Sequence, residues 1–124
     1  MCIRDRGQIE GGFVQGAGWL TIEEVKWKPN GELITHSPST YKIPAVNDMP
    51  EKFNVKIFKN LNKENVVNKS KTTGEPPLML GMSVFFAIKD AISSIANHKI
   101  IPNLNAPATS EAILLSINDI KNKI

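Results

Sequence analysis

Five of the eight glycines of this 124-residue chain fall within residues 7–18, in a stretch whose apolar residues Ile9, Phe13, Ala17 and Leu20 are spaced for one helical face. Each glycine inside a helix costs about 1 kcal/mol relative to alanine. The segment therefore predicts a helix held by packing, in which another helix or a cofactor comes closer than a side chain would permit. A phosphate cradle is the sharper alternative. Against it, Gly16-Ala17-Gly18 does not continue to the third glycine of a dinucleotide fingerprint, and no strand precedes it.

Gly74-Glu75-Pro76-Pro77-Leu78 is the second constrained stretch. Pro76 disfavours helical angles for Glu75, and Pro77 suits the first turn of a helix expected over residues 78–96. Gly74 removes side-chain bulk beside the carboxylate. A carboxylate with a fixed direction and an open approach has what a general base needs. The same residues also serve as an N-terminal capping carboxylate, the commoner local use. The pentapeptide alone leaves both roles open.

Met82, Phe85, Phe86, Ile88, Ile92, Ile95 and Ala96 share one broad face of the 78–96 helix and are expected to be core. Thr109 or Ser110 can cap a last helix carrying Ile113, Leu114, Ile117 and Ile120 at helical spacing, and its Lys-rich end suits the helix dipole. Pro29-Asn30-Gly31-Glu32 marks a turn. Residues 33–35 and 53–58 read as strands, the second because Phe53, Val55 and Ile57 alternate with Asn54, Lys56 and Phe58. Between them, residues 37–50 are rich in Pro and Ser and read as a structural strap without chemistry of its own. The expected fold class is α+β, helices packed with a small number of strands.

The chain is long enough for one core, and 41% hydrophobic with 22% charged residues is ordinary globular composition. No run of about 18 apolar residues is present, so no membrane span is expected. The N-terminus lacks the apolar centre of a signal peptide, which fits a cytoplasmic location. Cys2 is the only cysteine, and His36 and His98 lie far apart without acids in ligand spacing, so no metal site built from this chain is expected. The charge of +3 could attract nucleic acid, but the fifteen basic residues are spread along the chain. Trp27 between Lys26 and Lys28 is too small a cluster for base stacking. No nucleic-acid partner is expected.

From Gly7 onward the chain resembles the C-terminal end of the molybdenum-binding subunit of the xanthine dehydrogenase family. The resemblance runs through five blocks in the family's order: Gly7-Gln8-Ile9-Glu10-Gly11-Gly12-Phe13-Val14-Gln15-Gly16, Pro38-Ser39-Thr40-Tyr41-Lys42-Ile43-Pro44, Gly74-Glu75-Pro76-Pro77-Leu78, Phe85-Phe86-Ala87-Ile88-Lys89-Asp90-Ala91, and Leu104-Asn105-Ala106-Pro107-Ala108-Thr109-Ser110-Glu111. The last is typical of bacterial members. Thr72-Thr73 departs from the family, which more often has small or apolar residues there.

The resemblance implies the C-terminal part of a molybdopterin-binding domain, in an enzyme that hydroxylates purines such as hypoxanthine or xanthine with water as the oxygen source. It implies that Glu75 is the active-site base, taking the proton from a molybdenum-bound hydroxide, and that Gln8 hydrogen-bonds the pterin part of the cofactor. A side-chain amide suits that contact, since it offers donors and an acceptor together. The molybdenum of the family is held through the pterin's own sulfurs, and its 2Fe-2S and FAD groups lie on other domains or subunits. The alternatives are an aldehyde oxidase-type or other heterocycle hydroxylase, or a non-catalytic scaffold that docks to a partner subunit. Residues 1–6 match nothing in the family and read as a non-native leader. Residues 7–124 are then an incomplete domain, expected to be inactive alone.

Overall fold

In the computed structural model, which describes residues 3–69 and 75–124, the glycine-rich segment forms one long helix, α1 (Ile3–Thr21). The helix starts ahead of Gly7, and Arg6 pairs with Glu10 one turn on at 2.6 Å. Its two buried residues are both glycines, Gly16 and Gly18. A methyl on Gly16 would fall on the Leu78 carbonyl oxygen and lie 2.9 Å from the carbonyl carbon. A methyl on Gly18 would meet the Pro44 ring and would lie 2.7 Å from Glu23 Oε1. Two residues apart on a 3.6-residue helix, these positions face about 200° apart. α1 is therefore gripped from opposite sides, and the missing side chains are what let the grips close.

The first grip comes from α2 (Glu75–Leu80) and α3 (Met82–Ser93), which meet at Gly81. The single helix expected over residues 78–96 is thus two helices, and a 3-10 turn (Ser94–Ala96) continues the second. At the joint the Gly81 N–H donates to the Leu78 carbonyl and the Val84 N–H to the Gly81 carbonyl, both at 3.1 Å. The helix also starts earlier than expected. Glu75 is its first residue and is not pushed out of it by Pro76. First-turn N–H groups have no acceptor within their own helix, so both prolines sit there without losing a bond. Pro77, buried, adds contact that outweighs the steric preference at Glu75.

Residues 37–50 provide the second grip and form the strap expected of them. Pro44 presses on Gly18, and the Tyr41 hydroxyl donates to Glu23 Oε2 at 2.5 Å. Phe13 on α1 packs against Phe53, ring centres 5.4 Å apart. The turn before the strap is also present. Gly31 has φ +85°, open to glycine, and the Gly31 N–H reaches the Lys28 carbonyl at 2.9 Å.

The apolar core lies at the other end, where Ile92, Ala96, Leu104, Ala108 and Ile120 are buried together with Phe85, Ile88, Ile100, Ala112, Ile113 and Ile117 around them. α4 (Ser110–Lys121) closes it. Thr109 caps α4, its hydroxyl accepting from the Ala112 N–H at 3.2 Å. The Ala108 N–H donates to the Leu20 carbonyl at 2.7 Å and ties this half to the end of α1. The expected apolar face of 78–96 is only partly core, because Met82, Phe86 and Ile95 are exposed, as is Leu114 on α4.

The α+β expectation is corrected. Among the described residues no strand forms, and the one β pairing is an isolated antiparallel bridge between Trp27 and Leu33. Residues 53–56 keep the alternation that prompted the strand reading, Phe53 and Val55 half-buried against exposed Asn54 and Lys56. Alternation shows which face a segment buries; a strand also needs a neighbour for its N–H and C=O groups, and among the described residues these have no strand partner.

The membrane expectation also needs amending. Taken through Gly81, Glu75–Ala96 is 22 residues long and, by length and composition, apolar enough to cross a membrane. Lys89 and Asp90 interrupt its apolar run, so the segment contains no unbroken apolar stretch of that length. Only part of it is packed, with Gly81 on α1 and Ile92 and Ala96 buried beside Ile120, while Met79, Leu80 and Phe86 are exposed.

Candidate functional site

Glu75 stands at the N-terminus of α2, exposed, at the end of the helix where a carboxylate meets the positive pole of the backbone dipoles. Gln8 is exposed on α1. Among the described residues neither side chain has a hydrogen-bond partner, unlike Glu10, which Arg6 holds, or Asp90, whose Oδ1 lies 3.2 Å from His98 Nδ1. Both are exposed polar groups. Gly74, Thr72 and Thr73, which the sequence places beside Glu75, lie outside the described residues, as does Cys2.

What relates the two residues is the crossing of α1 and α2. Leu78, whose carbonyl faces Gly16, is three residues after Glu75, about 4.5 Å of helix rise; Gln8 is eight residues before Gly16, about 12 Å along α1. The amide and the carboxylate are thus mounted on two helices in direct backbone contact. Two grooves beside α1 lie between it and the strap. One, of about 220 Å³, is lined by residues including Phe13, Ala17, Pro44 and Val84; the other by Gln15, Trp19, Glu23 and Ile43. Neither is lined by Gln8 or Glu75. Among the described residues no three His, Cys, Asp or Glu side chains gather as metal ligands.

Two features of this region were not legible in the sequence. Gly81 interrupts an apolar run without any turn signal beside it. Glu23 and Tyr41 lie 18 positions apart with no periodicity to link them. The hydrogen bond to Glu23, with some desolvation and the carboxylate's charge, raises the Tyr41 phenol above its ordinary value of 10.0.

Residues 4–50, which include Gln8, match a family described as Molybdopterin cofactor-binding domain. Over 118 residues the chain is 48% identical to the xanthine dehydrogenase of Dictyostelium discoideum, and over 125 residues 46% identical to that of Oryza sativa subsp. japonica, each alignment covering 93% of the chain and therefore Glu75. It is 46% identical over 115 residues to the xanthine dehydrogenase/oxidase of Felis catus, with 88% of the chain covered. These relatives are eukaryotic and do not support the bacterial affiliation expected from residues 104–111. The chain spans about 9% of the length of each of these relatives. Nearly all of it is thus similar to one short stretch of the xanthine dehydrogenases, and its first 50 residues carry the match to a molybdopterin cofactor-binding domain.

Proposed function

We propose that this chain is part of the molybdopterin-binding portion of a molybdenum-dependent hydroxylase that oxidises purines, hypoxanthine or xanthine, with water as the source of oxygen. The observation that carries this reading is the 48% identity to a xanthine dehydrogenase over 93% of the chain. The residues present suit the cofactor. Gln8 offers an open amide on the helix that lies within the family match, able to donate to and accept from a pterin edge. α1 carries bare backbone at Gly7 and Gly11, on either side of Gln8, where an added methyl would meet nothing within 4 Å. When bound, the molybdenum–molybdopterin group supplies the two-electron oxidation chemistry. 2Fe-2S and FAD groups on other domains or subunits carry the electrons onward, and the location is cytoplasmic.

Glu75 is the base of this reaction. Its carboxylate stands at a helix start with both first-turn prolines limiting its backbone, exposed and unclaimed by any described side chain. It takes up the proton of the attacking water-derived oxygen, so it has to sit within hydrogen-bond reach of that oxygen in the complete site. Among the described residues neither Gln8 nor Glu75 lines either groove beside α1, and the 124-residue chain by itself is expected not to turn over xanthine.

The test begins at the genomic locus. An open reading frame that continues upstream of Gly7 into the remainder of a molybdenum hydroxylase is expected, and the protein it encodes, purified, should contain molybdenum and oxidise xanthine. Glu75→Gln keeps the size and removes the proton affinity; it should lower kcat by at least about 100-fold with molybdenum content unchanged. Retained activity would remove Glu75 from the mechanism, and loss of metal would make it structural. A locus with no upstream frame would leave a scaffold with Glu75 as a helix cap.

A further inference from the structure

We infer that Gly16 and Gly81 are positioning residues for Glu75: their backbone contact fixes where the first turn of α2 stands against α1. The inference rests on Glu75 being the base, as proposed above, and goes beyond it to what aims that carboxylate.

Gly81 has φ −55° and ψ −23°, ordinary right-handed helical angles that any residue adopts. Glycine at this position supplies space, not a special turn. A methyl there would lie 2.5 Å from the Ala17 nitrogen, 2.6 Å from the Gly16 carbonyl carbon and 2.9 Å from the Gly16 Cα, all backbone atoms with no side chain to swing away. The contact is reciprocal, since a methyl on Gly16 would fall on the Leu78 carbonyl oxygen. That same oxygen accepts the Gly81 N–H at 3.1 Å. Gly16, Leu78 and Gly81 therefore form one interlocked contact.

Little slack separates this contact from Glu75. α2 has six residues, and two of the three from Pro76 to Leu78 are prolines with fixed φ. Pro77 is buried. Glu75 is the first residue of α2, so the position of this turn sets where its side chain starts. Opening the crossing from 2.5 Å to an ordinary contact of about 3.5 Å moves α2 by about 1 Å. A misplacement of that size at a reacting group can cost about 100-fold in rate.

The experiment uses the purified holoenzyme from the locus and four variants: Gly81→Ala, Glu75→Gln, their combination, and Pro76→Ala. Gly81→Ala is expected to lower kcat about 100-fold while KM for xanthine and molybdenum content stay as in the parent. In the Glu75→Gln background, with residual turnover read from product accumulated over hours, adding Gly81→Ala should change nothing, because an effect exerted through Glu75 has no route left. Equal loss in both backgrounds would overturn the inference, as would parent-level kcat in Gly81→Ala. Should Gly81→Ala fail to assemble with molybdenum, Pro76→Ala decides. It adds no clash and only frees the link to Glu75, so kcat should fall several-fold at constant KM, and an unchanged kcat rejects the positioning role. Full activity in Glu75→Gln alone would instead reject the base reading itself.

Discussion

Tyr41 is the only tyrosine of the chain, which makes its ionisation directly readable. Its hydroxyl donates to Glu23 at 2.5 Å, and this bond, more than desolvation or the carboxylate's charge, raises its pKa above 10.0. The folded protein thus favours the neutral phenol. The stability so gained is present below the unfolded value of about 10 and is lost as pH rises through the higher folded value. An ultraviolet titration of the phenolate should show a midpoint above 10, and Glu23→Ala should return it to about 10. A wild-type midpoint at or below 10 would mean that the strap is not tied to Glu23 in solution. The sequence marked Tyr41 as part of a shared block and Glu75 as a constrained carboxylate, because both messages are local. It could not pair Tyr41 with Glu23, since that bond depends on how residues 37–50 cross α1.

At the scale of elements, the glycines of α1 divide by what surrounds them. Gly7 and Gly11 have nothing within 4 Å of an added methyl, so each pays the helix cost of glycine without a packing return. Gly16 meets backbone, and a side chain there must push α2 away. Thermal unfolding should separate the two kinds. Gly7→Ala is expected to stabilise by about 0.5–1 kcal/mol, and Gly16→Ala to destabilise by about 1–3 kcal/mol. Equal shifts for both would contradict the crossing described here. The helix and its need for close packing were legible from composition and spacing, and so was the Thr109 cap of α4. Which glycines face a neighbour was not, because Gly7, Gly11 and Gly16 look alike until α2 is in place. The break at Gly81 was missed for a related reason: its angles are helical, so only the contact with Gly16 reveals its role.

For the whole molecule, the expected strands at 33–35 and 53–58 and the expected single apolar face of 78–96 depart from the structure in one way. Each pattern promises a buried side, and within these residues that side is left partly uncovered. Phe86 is 59% exposed, Leu80 64% and Met79 55%, and Leu114 and Leu115 on α4 are also open. Large apolar side chains left exposed in this number favour association in water. The isolated 124-residue chain should therefore self-associate. Light scattering at tens of micromolar is expected to give a mass above the 13.7 kDa of one chain, rising with concentration. Leu80→Glu with Phe86→Glu should lower that mass towards a single chain while the helical circular dichroism is kept, because both side chains already face solvent and neither belongs to the buried cluster around Ile120. A wild-type chain that stays at 13.7 kDa across the range would mean that these exposed side chains do not drive association in solution.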